Sequence, residues 1–188
     1  MKVHFMGAFD GKGASLPNGT PVEGAVAIQE PGDPRKLVMI TNITALVLFV
    51  VLVAILLLRG GVTALNFRGV LVGALLLFPR DLLRLPCFKG DAYYYTNFHQ
   101  SMPFLMGPEE MGKTRYLLMT LLPNLVLGLI PFVLFLIWPN LSFLGSMGAM
   151  VIPMGAGDYL MAWLILRQMP KDAVTYRHRF HSYWYIPE

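Results

Sequence analysis

Three charged residues, Arg80, Asp81 and Arg84, stand in an otherwise apolar run, Phe78-Pro79-Arg80-Asp81-Leu82-Leu83-Arg84-Leu85-Pro86-Cys87-Phe88. Charges among apolar neighbours are costly and usually mark a site or the end of a span. On an α-helix Arg80 and Arg84 would share a face at i, i+4, and Asp81 could pair with Arg84 at i, i+3. Such a set can form ion pairs or grip an anion such as a phosphate head group. A further carboxylate, Asp158, follows Gly155-Ala156-Gly157 in a second apolar stretch, and Asn124 beside Pro123 is a candidate polar residue lining a cavity. His178 and His181 have a spacing a metal could use, with His99 as a candidate third ligand. No carboxylate base accompanies them, and their aromatic surroundings suit an interfacial anchor better. Cys87 is the single cysteine, which excludes an intramolecular disulfide and cysteine-based metal centres within one chain. A cysteine nucleophile needs a base, and no histidine adjoins Cys87 in sequence.

The elements that must position these residues are apolar. The chain of 188 residues is 55% hydrophobic and 14% charged, whereas a soluble domain is about half apolar and about a quarter charged. The balance points to an integral membrane protein of one domain. A net charge of +4 without a clustered basic face argues against nucleic acid. About 20 apolar residues cross a bilayer core. Spans are expected near 37–58, 69–88, 116–138 and 141–166. The first is uncharged between Arg35-Lys36 and Arg59, and Thr41, Asn42 and Thr44 sit at its head-group-level start. Gly145 and Ala149 form a small-xxx-small pair suited to close helix contact. The expected fold is an all-α membrane bundle of about four helices with a small β-hairpin-like insertion, read from Tyr93-Tyr94-Tyr95 and 102–106. Residues 1–36 read as a polar N-terminal arm, rich in turn signals such as Asp10-Gly11, Asn18-Gly19 and Pro31-Gly32. Two apolar runs within it, 3–9 and 22–28, could be strands. Residues 37–188 read as the membrane-embedded part, and no secretory signal is expected at the start.

Basic residues set the topology. Four spans put both termini and the second loop on one side, with Arg35, Lys36, Lys89, Lys113, Arg115, Arg167, Lys171, Arg177 and Arg179. The other side carries Arg59 and Arg68. Both termini are therefore expected in the cytoplasm. Arg80 and Asp158 each lie eight residues before the inner end of an inward-running span, about 12 Å at the α-helical rise. Two different helices thus bring them to similar depth, and buried ionisable groups in membranes pair with one another. An ion cluster of Arg80, Asp81, Arg84 and Asp158 is expected.

The order of several short patterns is recognisable. Leu82-Leu83 framed by Arg80-Asp81 and Arg84, then Cys87-Phe88, is joined by Ala25-Val26 near Glu30-Pro31 and by Leu121-Leu122-Pro123-Asn124. Gly155-Ala156-Gly157-Asp158-Tyr159, Gln168-Met169-Pro170-Lys171 and Ser182-Tyr183-Trp184-Tyr185-Ile186-Pro187 follow. The set resembles the bacterial integral-membrane "putative zincin" family, distantly similar to site-2-type zinc metallopeptidases, over nearly the whole chain. The resemblance implies a zinc site built on a His-Glu-x-x-His frame, with glutamate as general base, and Asp158 where a third ligand would fall. Here the frame reads Arg80, Asp81, Leu82, Leu83, Arg84. Arginine has no lone pair to donate, and catalytic zinc needs three protein ligands. No zinc and no other cofactor is expected, and no catalytic set is intact at Arg80, Asp81, Arg84 and Asp158.

The leading expectation is a catalytically inactive pseudopeptidase of the cell membrane that holds a membrane protein or an extended peptide, the latter by strand addition. The rivals are an active zinc-dependent membrane peptidase recruiting His178 and His181, an anionic-lipid-binding protein using Arg80 and Arg84, and a structural membrane subunit.

Overall fold

The structure, a computed structural model, describes residues 2–8, 16–17, 19, 21–30, 33–97, 102–178 and 181–187. His99, Arg179 and the turns at Asp10-Gly11, Asn18 and Pro31-Gly32 lie outside the described residues. In chain order the elements are β1 (Val3–Ala8), β2 (Val26–Ala27), α1 (Pro34–Gly60), a 3-10 turn (Val62–Ala64), α2 (Phe67–Leu75), a 3-10 helix (Arg80–Cys87), β3 (Ala92–Asn97), β4 (Met102–Met106) and β5 (Met111–Gly112). There follow α3 (Lys113–Asn124), a π-helical turn (Leu125–Leu129), α4 (Ile130–Ile137), α5 (Ser142–Met154), α6 (Ala156–Gln168), β6 (Val174–His178) and β7 (His181–Tyr185). The chain divides into two compact units, 31–80 with 121–160, and 1–30 with 81–120 and 161–188.

The first unit is helical. Among the described residues of the whole chain, two stretches are long and apolar enough to cross a membrane as single helices, Arg35–Gly60 and Lys113–Ile137. The other two expected spans are each broken, between Leu75 and Arg80 and between Met154 and Ala156. Proline explains the breaks. Pro79 and Pro153 each lack the N–H that an α-helix needs, and Gly155 closes α5 with its N–H on the Ile152 carbonyl at 3.1 Å. Pro131 likewise removes a donor to the preceding turn, and the winding just before it is π-helical.

α1 starts at Asp33, whose side chain accepts the Arg35 N–H at 2.9 Å. Its apolar residues are exposed nearly all round, Val38, Ile43, Leu46, Val47 and Val50 among them. Thr41 returns its hydroxyl to the Leu37 and Val38 carbonyls of its own helix rather than to a neighbour. Leu56 near the far end is buried and joins Ala64, Phe132, Phe135, Ala149 and Ile152 in one apolar core.

α5 is the helix on which the others converge, because its small residues admit close approach. A Cβ at Gly145 would meet the Phe135 ring at 2.5 Å, and one at Gly148 would meet the Gly128 carbonyl oxygen at 2.7 Å. A Cβ at Gly69 of α2 would come within 2.3 Å of the Phe143 carbonyl oxygen of α5. Beside it the Asn66 N–H donates to Ser146 Oγ at 2.8 Å, and that hydroxyl donates to the Ala64 carbonyl at 2.8 Å. A backbone oxygen cannot swing aside as a flexible side chain can. Gly69→Ala is therefore expected to cost about 1–3 kcal/mol, read as a lowered midpoint of thermal unfolding. A variant as stable as the parent would show that α2 and α5 do not touch there.

The second unit contains two sheets: beside the expected hairpin-like insertion, β1 and β2 fall within the runs 3–9 and 22–28 that the sequence marked as candidate strands. Strands β1, β3 and β4 form one, and β2, β7, β6 and β5 the other. The β3–β4 hairpin is the expected insertion. β1 adds parallel to β3, with a register shift between Phe5 and Gly7, where Gly7 takes φ 73°. Asp91 clasps this strand, accepting the Lys2 N–H at 2.9 Å and lying 3.3 Å from His4. Both contacts favour the charged carboxylate and hold its pKa below the ordinary value. β2 pairs antiparallel with β7. Next to it Gln168 and Gln29 exchange two bonds, Gln29 N–H to Oε1 at 2.7 Å and Nε2 to the Gln29 carbonyl at 3.0 Å. The tail, expected as an interfacial anchor, is the β6–β7 hairpin.

Candidate functional site

The segment carrying the charged frame does not wind as an α-helix. Pro79 precedes it, Pro86 lies inside it, and Arg80–Cys87 is a 3-10 helix. Three residues per turn align i with i+3 and set i and i+4 about 120° apart. The expectation that Arg80 and Arg84 share one face is overturned on that ground. The expected i, i+3 pair does form, with Arg84 Nε 3.3 Å from Asp81 Oδ1.

Arg80 follows the first helix break, its N–H on the Leu76 carbonyl at 3.0 Å. Asp158 lies in the first turn of α6, just after the second break. There the helix dipole favours a negative charge. The Arg80 guanidinium donates through Nη2 to Asp158 Oδ2. Asn124, at the end of α3, donates Nδ2 to the same oxygen at 3.1 Å. The site is largely buried: Arg80 is 7% exposed and Asn124 3%. The pairing inferred from depth is thus present, and Asn124 stands at it.

Gly155 makes this arrangement possible, and its part was not read from the sequence. A Cβ at 155 would lie 2.2 Å from Asn124 Nδ2. Only glycine lets the amide lie against the backbone and reach Asp158. The sole signal was the position of the glycine, three residues before the carboxylate.

Asp81 is buried, 8% exposed, in the other unit. Burial first, and then the Asp81 charge, push the phenol of Tyr94 on β3 upward. Farther along, the end of the 3-10 helix is held by a latch. Glu109 accepts the Lys89 N–H at 3.0 Å and also the Gly90 N–H. It pairs with Arg115, whose Nε donates to the Cys87 carbonyl at 2.8 Å. Neither Tyr94 nor this latch was identified from sequence. Cys87 is buried.

His178 and His181 face each other across the β6–β7 pair, and His178 Nδ1 lies 3.3 Å from the Gly19 carbonyl oxygen. Among the described residues no three of His, Cys, Asp and Glu come together to hold a metal. The residues at the frame do not fit zinc either. The two guanidinium groups cannot donate a lone pair, and the Asp158 carboxylate already takes a guanidinium and an amide.

Residues 82–174 match the model of the family described as "Putative zincin peptidase", the family the sequence resembles. No curated protein and no solved structure matches the chain.

Proposed function

From that family match we propose that the chain is a multi-pass membrane protein of the zincin-peptidase type that binds rather than cleaves. Its ligand would be a membrane protein partner or an extended peptide. The observation that carries the reading is the Arg80 guanidinium on Asp158. A fixed positive charge takes the role a divalent cation would have toward that carboxylate, so charge balance persists without a reaction. Arg84 and Asp81 form a second internal pair. With both arginines turned to aspartates, a lipid phosphate at this frame is the less favoured reading.

Bilayer insertion is supported by the apolar circumference of α1 and by the second helix of sufficient length. Breaks in the remaining apolar segments suit a membrane site, since irregular backbone at that depth must be buried in protein or line a cavity. The excess of basic residues on one side orients both termini toward the cytoplasm. The open edges of a small sheet offer an extended peptide its backbone bonds.

The test is metal content and turnover together. Chelator-washed protein is expected to hold no stoichiometric zinc and to leave casein and model peptides intact when zinc is added. One zinc per chain that disappears in Asp158→Ala would refute the proposal. Zinc-dependent cleavage abolished by changing His178 and His181 would replace it with an active hydrolase.

A further inference from the structure

The β6–β7 hairpin has two faces, because opposed residues share a face and successive ones alternate. One face carries Tyr176, Tyr183 and Tyr185, whose rings pack at 5.7 and 6.1 Å. The other carries two opposed pairs, Thr175 with Trp184 and Arg177 with Ser182. Thr175 is satisfied, its hydroxyl on the Tyr183 carbonyl at 2.9 Å. Its three companions are not. Arg177 Nε, Ser182 Oγ and Trp184 Nε1 are buried and have no hydrogen-bond partner among the described residues. Ser182 as a whole is 2% exposed.

A buried polar atom without a partner is uncommon. Three on adjoining positions of one hairpin face share a cause. Directly opposed side chains start about 5 Å apart, and diagonal ones about 7–8 Å, so one small group could reach all three. The indole N–H and the guanidinium can only donate, and the hydroxyl can donate too. What they lack is therefore an acceptor with several oxygens. The neighbours on the flanking strands do not provide one: Val26 stands opposite Trp184, and Met111 opposite Thr175. No carboxylate pairs with Arg177 among the described residues, and an anionic acceptor is the one that best suits its charge.

We propose that Arg177, Ser182 and Trp184 form an oxyanion site for a phosphate group, separate from the Arg80–Asp158 pair. A tetrahedral phosphate offers enough acceptor oxygens for all three donors, and guanidinium–phosphate bonds are among the strong charge-assisted ones. Two sources share this chemistry, free phosphate and a phospholipid head group. The hairpin's tyrosines, Trp184 and nearby Lys171 have the composition of a segment at the head-group level of a membrane.

The full chain, purified in detergent and stripped of lipid, is titrated separately with inorganic phosphate, phosphatidylglycerol and diacylglycerol. Thermal unfolding and native mass spectrometry report binding. Retention of phosphatidylglycerol over diacylglycerol identifies a head group, and a response to inorganic phosphate alone identifies the free ion. Arg177→Gln is expected to weaken binding about tenfold or more, and Ser182→Ala and Trp184→Phe about tenfold each. Trp184→Phe keeps an aromatic side chain while removing the N–H donor, so with Ser182→Ala it tests the site even where Arg177→Gln does not fold. No preference for either phosphate-bearing probe over diacylglycerol overturns the proposal. So does unchanged binding in Ser182→Ala and Trp184→Phe, which would leave these donors to a buried water.

Discussion

Arg80→Ala is expected to destabilise the folded protein by about 3–5 kcal/mol, the cost of breaking a buried ion pair by removing one member. Asp158 would be left in a largely buried site without the guanidinium that faces it. The side chains are 8% and 16% exposed, too little for water to take over. Removing both charges is a different experiment. Arg80→Met with Asp158→Leu replaces the pair by apolar groups of similar size, and such replacements are often neutral or stabilising. The double variant should therefore recover most of the loss. Unfolding of the purified protein, followed for the parent, both single variants and the double variant, gives the coupling between the two sites. A loss below about 1 kcal/mol for Arg80→Ala would mean a solvated pair of the surface kind. The same series bears on the proposed function, because under that reading the pair should be required for the fold whether or not any ligand binds.

The second large effect falls on the latch that follows the 3-10 helix. Glu109→Ala removes a carboxylate that binds the Lys89 and Gly90 amides and the Arg115 guanidinium. Hydrogen bonds to charged groups contribute roughly 1.5–3 kcal/mol each, and they do not add fully, so a loss of about 3 kcal/mol is expected. Glu109→Gln keeps an acceptor without the charge and should lose about half as much. A local readout separates the latch from general damage. The Lys89 and Gly90 amides should exchange hydrogen faster in Glu109→Ala, ahead of amides in the β6–β7 hairpin. Exchange unchanged at both amides would assign Glu109 no hold on the segment.

Much of the helical layout was legible because it depends on local pattern. An uncharged run long enough to cross a bilayer is a helix wherever it sits, and α1 spans it. The pairing of Arg80 with Asp158 could be inferred from counting, since two segments expected to run in the same direction with equal remainders put the residues at one level. Short alternating runs flanking a turn announced the β3–β4 hairpin. The 3-10 winding of Arg80–Cys87 was not legible. The motif fits an α-helical reading at i, i+4 and a 3-10 reading at i, i+3, and the prolines on both sides favour the tighter one.

By itself the sequence determined which groups are charged, where the apolar helices run and that no lone-pair donor stands at positions 80 and 84. Those properties belong to residue types and short spacings. Only the tertiary structure decided that Gly155 yields its space to the Asn124 amide, that the N-terminal residues supply strands to two sheets, and that Arg177, Ser182 and Trp184 share one buried face. The first two depend on contacts between residues far apart in the chain, and the third on the register of one hairpin packed against its neighbours. Their register is set by packing and backbone pairing, which no local pattern records.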